Sequence, residues 1–275
     1  MRWQMGRRSG NIEDRRGMGG GRGIPIAAGG GLGTIVLLLI AVFMGFDPGA
    51  LIGGLEGPVP GTQAPASPQD DRLRDFVSVV LADTEDTWRE LFPKMRREYR
   101  EPKLVLFSGS VQSACGMAGA AVGPFYCAPD ERVYIDLAFF RDLGRRFGAP
   151  GDFAQAYVIA HEVGHHVQAV LGLARIGERG DNETSVRREL QADCFAGIWA
   201  HHANRTRQVL EEGDLEEALN AAAAVGDDRL QKRAQGQVAP ESFTHGTSAQ
   251  RERWFRRGFE TGEVAQCDTF RARSL

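Results

Sequence analysis

Apolar positions recur at helical spacing over much of this chain and at strand spacing in two short runs. Between residues 70 and 92, Leu73, Phe76, Val77, Val80, Leu81 and Trp88 form one stripe, which predicts an amphipathic helix. Residues 103–107 and 132–135 are short apolar runs separated by turn signals, which predicts two strands of a small antiparallel sheet. A short helix is expected over 137–147. From 151 to 172 the pattern is broader: Phe153, Tyr157, Ile159, Ala160, Val163, Val167, Val170 and Leu171, with no proline. Asp152 stands where an N-cap or first-turn acid belongs, and Gly172 where a helix stops. A helix this apolar belongs in a core. Leu190, Cys194, Ile198 and Trp199 mark another helix, and residues 214–225 and 249–260 read as later ones. The expected class is α+β, with helices outweighing a small antiparallel sheet.

The N-terminal quarter has a different pattern. Residues 24–46 carry no charge, a length that suffices to cross a bilayer as one transmembrane helix. A cleaved signal peptide competes, but FDPGALIGG offers a poor cleavage site. Arg2, Arg7, Arg8, Arg15, Arg16 and Arg22 precede the span against Glu13 and Asp14, so the positive-inside rule holds that end in the cytoplasm. The expected plan is therefore a disordered basic cytoplasmic tail (1–23), a membrane helix (24–46), a Gly/Pro/Ala/Ser-rich flexible linker (47–69) and one domain (70–275). That domain would lie on the periplasmic or extracytoplasmic side of the inner membrane.

Composition adds two constraints. The net charge of −3 over 275 residues, with no basic stripe, argues against nucleic acid as a partner. Cys115, Cys127, Cys194 and Cys267 all follow the apolar segment, where the expected location lets disulfides persist. Three pairings are possible. The preferred one joins Cys115 to Cys127, closing a glycine-rich loop, and Cys194 to Cys267, tying the tail to a helix.

The chemistry concentrates in His161-Glu162-Val163-Gly164-His165, inside the most apolar helix. Residues four apart project from one helix face. Two imidazoles so placed can each point a ring nitrogen at one ion about 2.0–2.1 Å away. Glu162 then reaches toward a water at that ion, the place of a general base. The bland alternative, two hydrogen-bonded core histidines, leaves a buried polar cluster with little to offset its desolvation. A catalytic zinc takes a third protein ligand. In the HExxHxxGxxH version the last His would be that ligand, but Gln168 and Leu171 occupy its glycine and histidine positions. The other solution places a glutamate on a later helix. Arg187-Arg188-Glu189-Leu190-Gln191-Ala192-Asp193 fits it, with Glu189 and Asp193 four apart on one face. Glu189 is the expected third ligand. Asp193 is expected to accept a hydrogen bond from a ligand histidine and fix its tautomer. The competing reading makes both of them surface acids balanced by Arg187 and Arg188.

HEVGHHVQ followed by RRELQADCFAG resembles the gluzincin branch of the zinc peptidases, and more specifically the bacterial membrane-anchored neutral zinc metallopeptidases. Residues 123–140, 244–262 and 267–270 extend the resemblance, which runs from about residue 72 to the C-terminus. It implies a zincin-like fold, a Zn²⁺ cofactor and peptide or protein substrates. His245, just before a helix that starts at Thr247 with a Thr247/Gln250 capping box, is a candidate oxyanion donor. Tyr126 and Tyr134 are alternatives for that role. His166, His201 and His202 read as structural or solvent-facing, and Arg256 and Arg257 as a solvated face. The expected activity is zinc-dependent peptide hydrolysis, with the strand near residues 125–135 holding an extended peptide by strand addition. Two rivals stand beside it: a non-catalytic zinc-stabilised scaffold that presents a peptide groove, and an amidase acting on cell-wall peptides.

Overall fold

The computed structural model describes residues 1–17, 67–173 and 181–275. Helix α1 (Pro68–Lys94) starts at a capping box in which Ser67 and Asp70 satisfy each other's backbone N–H, with Pro68 at its first position. Its Phe76, Val77, Val80, Leu81 and Trp88 are buried, as the stripe predicts. The central helix α3 (Asp152–Leu171) follows a short α2 (Ala138–Arg145) and stops at Gly172 in the left-handed conformation. Behind it come α4 (Asn182–Arg207), α5 (Asp214–Ala224), α6 (Asp227–Gln235) and α7 (Ser248–Thr261). Helix α3 packs against α1, α4 and α5, and touches the sheet on another side. The core is thus helical, with α3 at its centre, and the fold is mostly helical with small sheets.

The strands correct the expected sheet. Residues Lys103–Phe107 (β2) and Arg132–Asp136 (β6) pair, but in parallel. Strand β1 (Ile12–Asp14) adds to β2 in parallel, and β5 (Phe125–Cys127) adds to β6 antiparallel, giving the order β1-β2-β6-β5. A separate antiparallel hairpin is formed by β3 (Ser110–Ser113) and β4 (Gly116–Gly119). This hairpin and β5 lie between β2 and β6 in the chain. They supply a connection long enough to bring the chain back to the starting end, as parallel pairing requires. Apolar spacing alone does not report strand direction. The near-continuous burial of Leu104 to Phe107, however, is the mark of a strand covered on both faces.

The N-terminal expectations also change. Residues 1–17 are ordered against the domain rather than forming a free tail. Trp3 is buried edge-on against Phe76, 5.4 Å between ring centres, and the Arg2 N–H donates to the Val209 carbonyl. The arginines that suggested a cytoplasmic end instead pair with acids: Arg7 with Glu85 and Asp86, Arg8 with Asp75, Arg16 with Asp14 and Asp71. A single crossing over 24–46 would put residues 1–17 and the domain on opposite sides of a bilayer, whereas the two are packed together. Among the described residues no helix is long and apolar enough to cross a membrane. The fold with a preceding transmembrane helix, and the single-pass inner-membrane location, are therefore withdrawn. The segments expected as span (24–46) and linker (47–69) lie outside the described residues up to residue 66.

Candidate metal centre

Two helices meet closely enough to build the site because Gly164, inside the His161–His165 turn, has no side chain. A Cβ there would stand 2.9 Å from the Ala192 carbonyl oxygen and 3.1 Å from its Cα. The contact sets Glu189 and Asp193 of α4 against His161 and His165 of α3. A second close crossing joins α4 to α7, where a Cβ on Gly258 would overlap the Cys194 carbonyl. That crossing brings Arg251 of α7 to Asp193.

Ligand atoms of His161, His165 and Glu189 lie within 4.8 Å of one another. His161 Nε2 is 3.2 Å from Glu189 Oε2, and His165 Nε2 is 3.5 Å from Glu189 Oε1. Donors around one tetrahedral Zn²⁺ at about 2.05 Å stand roughly 3.3 Å apart, close to both His–Glu189 separations, and the donor types suit zinc. The tautomers fit as well. His161 Nδ1 donates to Asp193 Oδ1 at 2.8 Å, which leaves Nε2 as the ring nitrogen that faces Glu189. The Gln168 amide donates its Nε2 to the Arg188 carbonyl and to Gln191 Oε1, which turns its Oε1 toward His165 Nδ1 at 3.0 Å. His165 therefore also presents Nε2 to the cluster. The residue that excludes one third-ligand pattern in the sequence thus orients the second histidine.

Asp193 is fully buried and amply bonded. Its Oδ1 accepts from Tyr157 Oη at 2.5 Å and Arg251 Nη2 at 2.9 Å, and its Oδ2 from Arg251 Nε at 2.7 Å. Burial works against its charge, yet Arg251 and His161 hold the carboxyl down at about 2. Burial likewise works against a charged His161, but the Asp193 carboxylate outweighs it and lifts its pKa to about 9. Glu189 is half-buried, and its desolvation would raise its pKa, but His165 and His161 outweigh that and keep it ionised. Glu162 behaves oppositely. Its carboxyl has no hydrogen-bond or ion-pair partner among the described residues, and burial raises its pKa.

His245 lies at the rim. Its Nδ1 donates to Asp227 Oδ1 at 3.1 Å, while Asp227 Oδ2 accepts the backbone N–H groups of Thr244, His245 and Gly246. Burial opposes its charge, but the bond to Asp227 and the nearby Glu189 carboxylate raise its pKa. The predicted helix start at Thr247, with the Gln250 capping box, is present. Tyr126 and Tyr134 have other partners: Tyr126 Oη pairs with His166 Nδ1, and Tyr134 Oη donates to Asp130. His166, His201 and His202 bond to the carbonyls of Arg100, Phe259 and Gly262. Both disulfides are formed, Cys115–Cys127 and Cys194–Cys267. Sequence reasoning missed Tyr157, Gln168, Asp227 and Arg251. Only Gln168 left a local signal, three residues after His165.

An HExxH helix crossed by a glutamate-bearing helix is the donor arrangement of the zinc peptidases. Over residues 1–270 the chain matches the family model described as "Putative neutral zinc metallopeptidase", and it belongs to that family. It is 50% identical to the uncharacterized protein YpfJ of Escherichia coli strain K12, covering 98% of this chain and 99% of that one. It is 41% identical to the uncharacterized protein Rv2575 of Mycobacterium tuberculosis strain H37Rv, covering 86% of each. No solved structure matches the chain.

Proposed function

We propose that this protein is a zinc-dependent peptidase whose metal is held by His161 Nε2, His165 Nε2 and the Glu189 carboxylate, with Glu162 as general base. The observation that carries the reading is a Glu162 carboxyl, on a residue 8% exposed and without a hydrogen bond among the described residues, beside a His₂Glu donor set whose ligand atoms lie within 4.8 Å of one another. When bound, the ion supplies Lewis acidity toward a water and a substrate carbonyl. Glu162 takes a proton from the attacking water and passes it to the leaving amine. His245 donates from Nε2 to the oxygen on which charge develops, held in place by Asp227 at Nδ1. Asp193 and Gln168 keep the two histidine rings in the tautomers the site requires. Strand β5 is at a sheet edge and contacts α3, so an extended peptide added to it would run past the site.

The test is digestion of a peptide library by the purified full chain, with zinc and with a chelator. Cleavage that stops with chelator and returns with Zn²⁺ is expected. Tight zinc binding with no cleavage of any peptide would favour the scaffold reading instead.

A further inference from the structure

Arg251 is 3% exposed, and a guanidinium that deep in a protein is costly unless it is paired. Its partner is Asp193, met by a two-pronged fork: Nε to Oδ2 at 2.7 Å and Nη2 to Oδ1 at 2.9 Å. Oδ1 is also the oxygen that accepts His161 Nδ1 and Tyr157 Oη. Arg251 Nη2 is itself 3.2 Å from Tyr157 Oη and 3.3 Å from His161 Nδ1. The guanidinium thus sets the plane of the carboxylate, and the carboxylate sets the plane of the imidazole. It also balances the Asp193 charge, so a carboxylate stays in a dry site beside the metal helix.

We infer that Arg251 is a positioning residue of the metal centre, which fixes the His161 ring by clamping Asp193 from α7. This goes one step beyond the proposed ligand set and rests on it. The arrangement has a structural origin. The α4–α7 crossing at Gly258 and Cys194 is close enough for the first turn of α7 to reach Asp193. The same helix start follows His245 directly, so α7 registers the rim of the site against its metal side. Lysine does not replace this residue, because an ammonium is a point charge without the planar fork.

The test compares wild type, Arg251→Lys, Arg251→Gln, Asp193→Asn and the double variant Asp193→Asn/Arg251→Gln. Two quantities are read: the zinc dissociation constant by chelator competition, and the visible spectrum of the Co²⁺-substituted protein. Arg251→Gln should weaken zinc about 10-fold or more and alter the Co²⁺ spectrum, a loss of the size seen when outer partners of metal ligands are removed. Arg251→Lys should recover part of it. The double variant should bind zinc no more weakly than Asp193→Asn, because the effect runs through that carboxylate. Should Arg251→Gln fail to fold, Arg251→Lys and the double variant decide, since neither buries an unpaired charge. A folded Arg251→Gln with wild-type zinc affinity and Co²⁺ spectrum would overturn the inference, as would a double variant tenfold weaker than Asp193→Asn. If wild type itself binds no zinc, the ligand assignment fails instead.

Discussion

Gly164→Ala tests whether the helix crossing sets the geometry of the metal centre. The added methyl would stand 2.9 Å from the Ala192 carbonyl oxygen, 3.1 Å from its Cα and 3.3 Å from its Cβ. Two of these three atoms are backbone, so no rotamer change relieves the contact. Ordinary contact begins at roughly 3.5–4.0 Å between carbons, so α3 and α4 must separate locally by about half an ångström. Overpacking of this kind costs about 1–3 kcal/mol, and replacing a helical glycine by alanine returns about 1 kcal/mol. The net loss of about 0–2 kcal/mol lowers Tm by a few degrees. The metal centre should suffer more. Ligand distances tolerate about ±0.2 Å, and the shift moves Glu189 relative to both histidines by more than that. Zinc affinity should fall at least tenfold by chelator competition while the protein remains folded. Gly144→Ala is the control: its Cβ would meet Pro150 at an ordinary 3.7 Å, so stability should hold or rise with zinc affinity unchanged. If Gly164→Ala binds zinc within twofold of wild type, the crossing does not determine the ligand geometry.

Glu189→Ala should reduce zinc content to near zero at micromolar free zinc, because two imidazoles remain of three donors; full occupancy would move the ligand role elsewhere. His245→Ala should keep zinc and lower kcat and kcat/KM together by about 10²–10³, whereas a role in the turn alone would lower Tm and leave kcat. The acid limb of stability should carry the signature of Asp193. Its folded pKa of about 2 lies below the ordinary 3.8, so its contribution of about 2 kcal/mol is present above pH 4 and is lost as pH falls toward 2. Asp193→Asn should flatten the stability profile in that window, as followed by urea unfolding, and an unchanged profile would refute the assignment.

What was legible in the sequence is what depends on helical period. The spacing of His161, Glu162 and His165, and of Glu189 and Asp193, follows from local geometry, and the helix pattern around each pair places them in a core. Cys115 and Cys127 flank a loop, and Cys194 lies on the same helix as Asp193, so those pairings also left a trace. Contacts made across the fold left none. Arg251 reaches Asp193 from 58 residues away, and Asp227 on α6 reaches His245 from 18 residues away. Beside Arg256 and Arg257, Arg251 differs only in facing inward, which single-sequence reading of a charged helix does not reveal. The N-terminal error has a comparable cause. Arginines ahead of an apolar segment have the same pattern whether they face a membrane or pair with acids on α1, and contacts such as Arg7–Glu85, Arg8–Asp75 and Arg16–Asp71 distinguish the two. Strand direction depended on the length and path of the connection, which apolar spacing does not encode.

The most direct test of the central claim compares wild type with Glu162→Gln for both zinc content and peptide hydrolysis. Wild type should hold about one Zn²⁺ per chain and cleave peptide, with activity lost to chelator and restored by zinc. Glu162→Gln should hold the same zinc and lose about 10²–10⁴ in kcat, because only the proton acceptor has gone. Near-normal hydrolysis by the zinc-loaded Glu162→Gln protein, or a folded wild type that binds no zinc, would contradict the account.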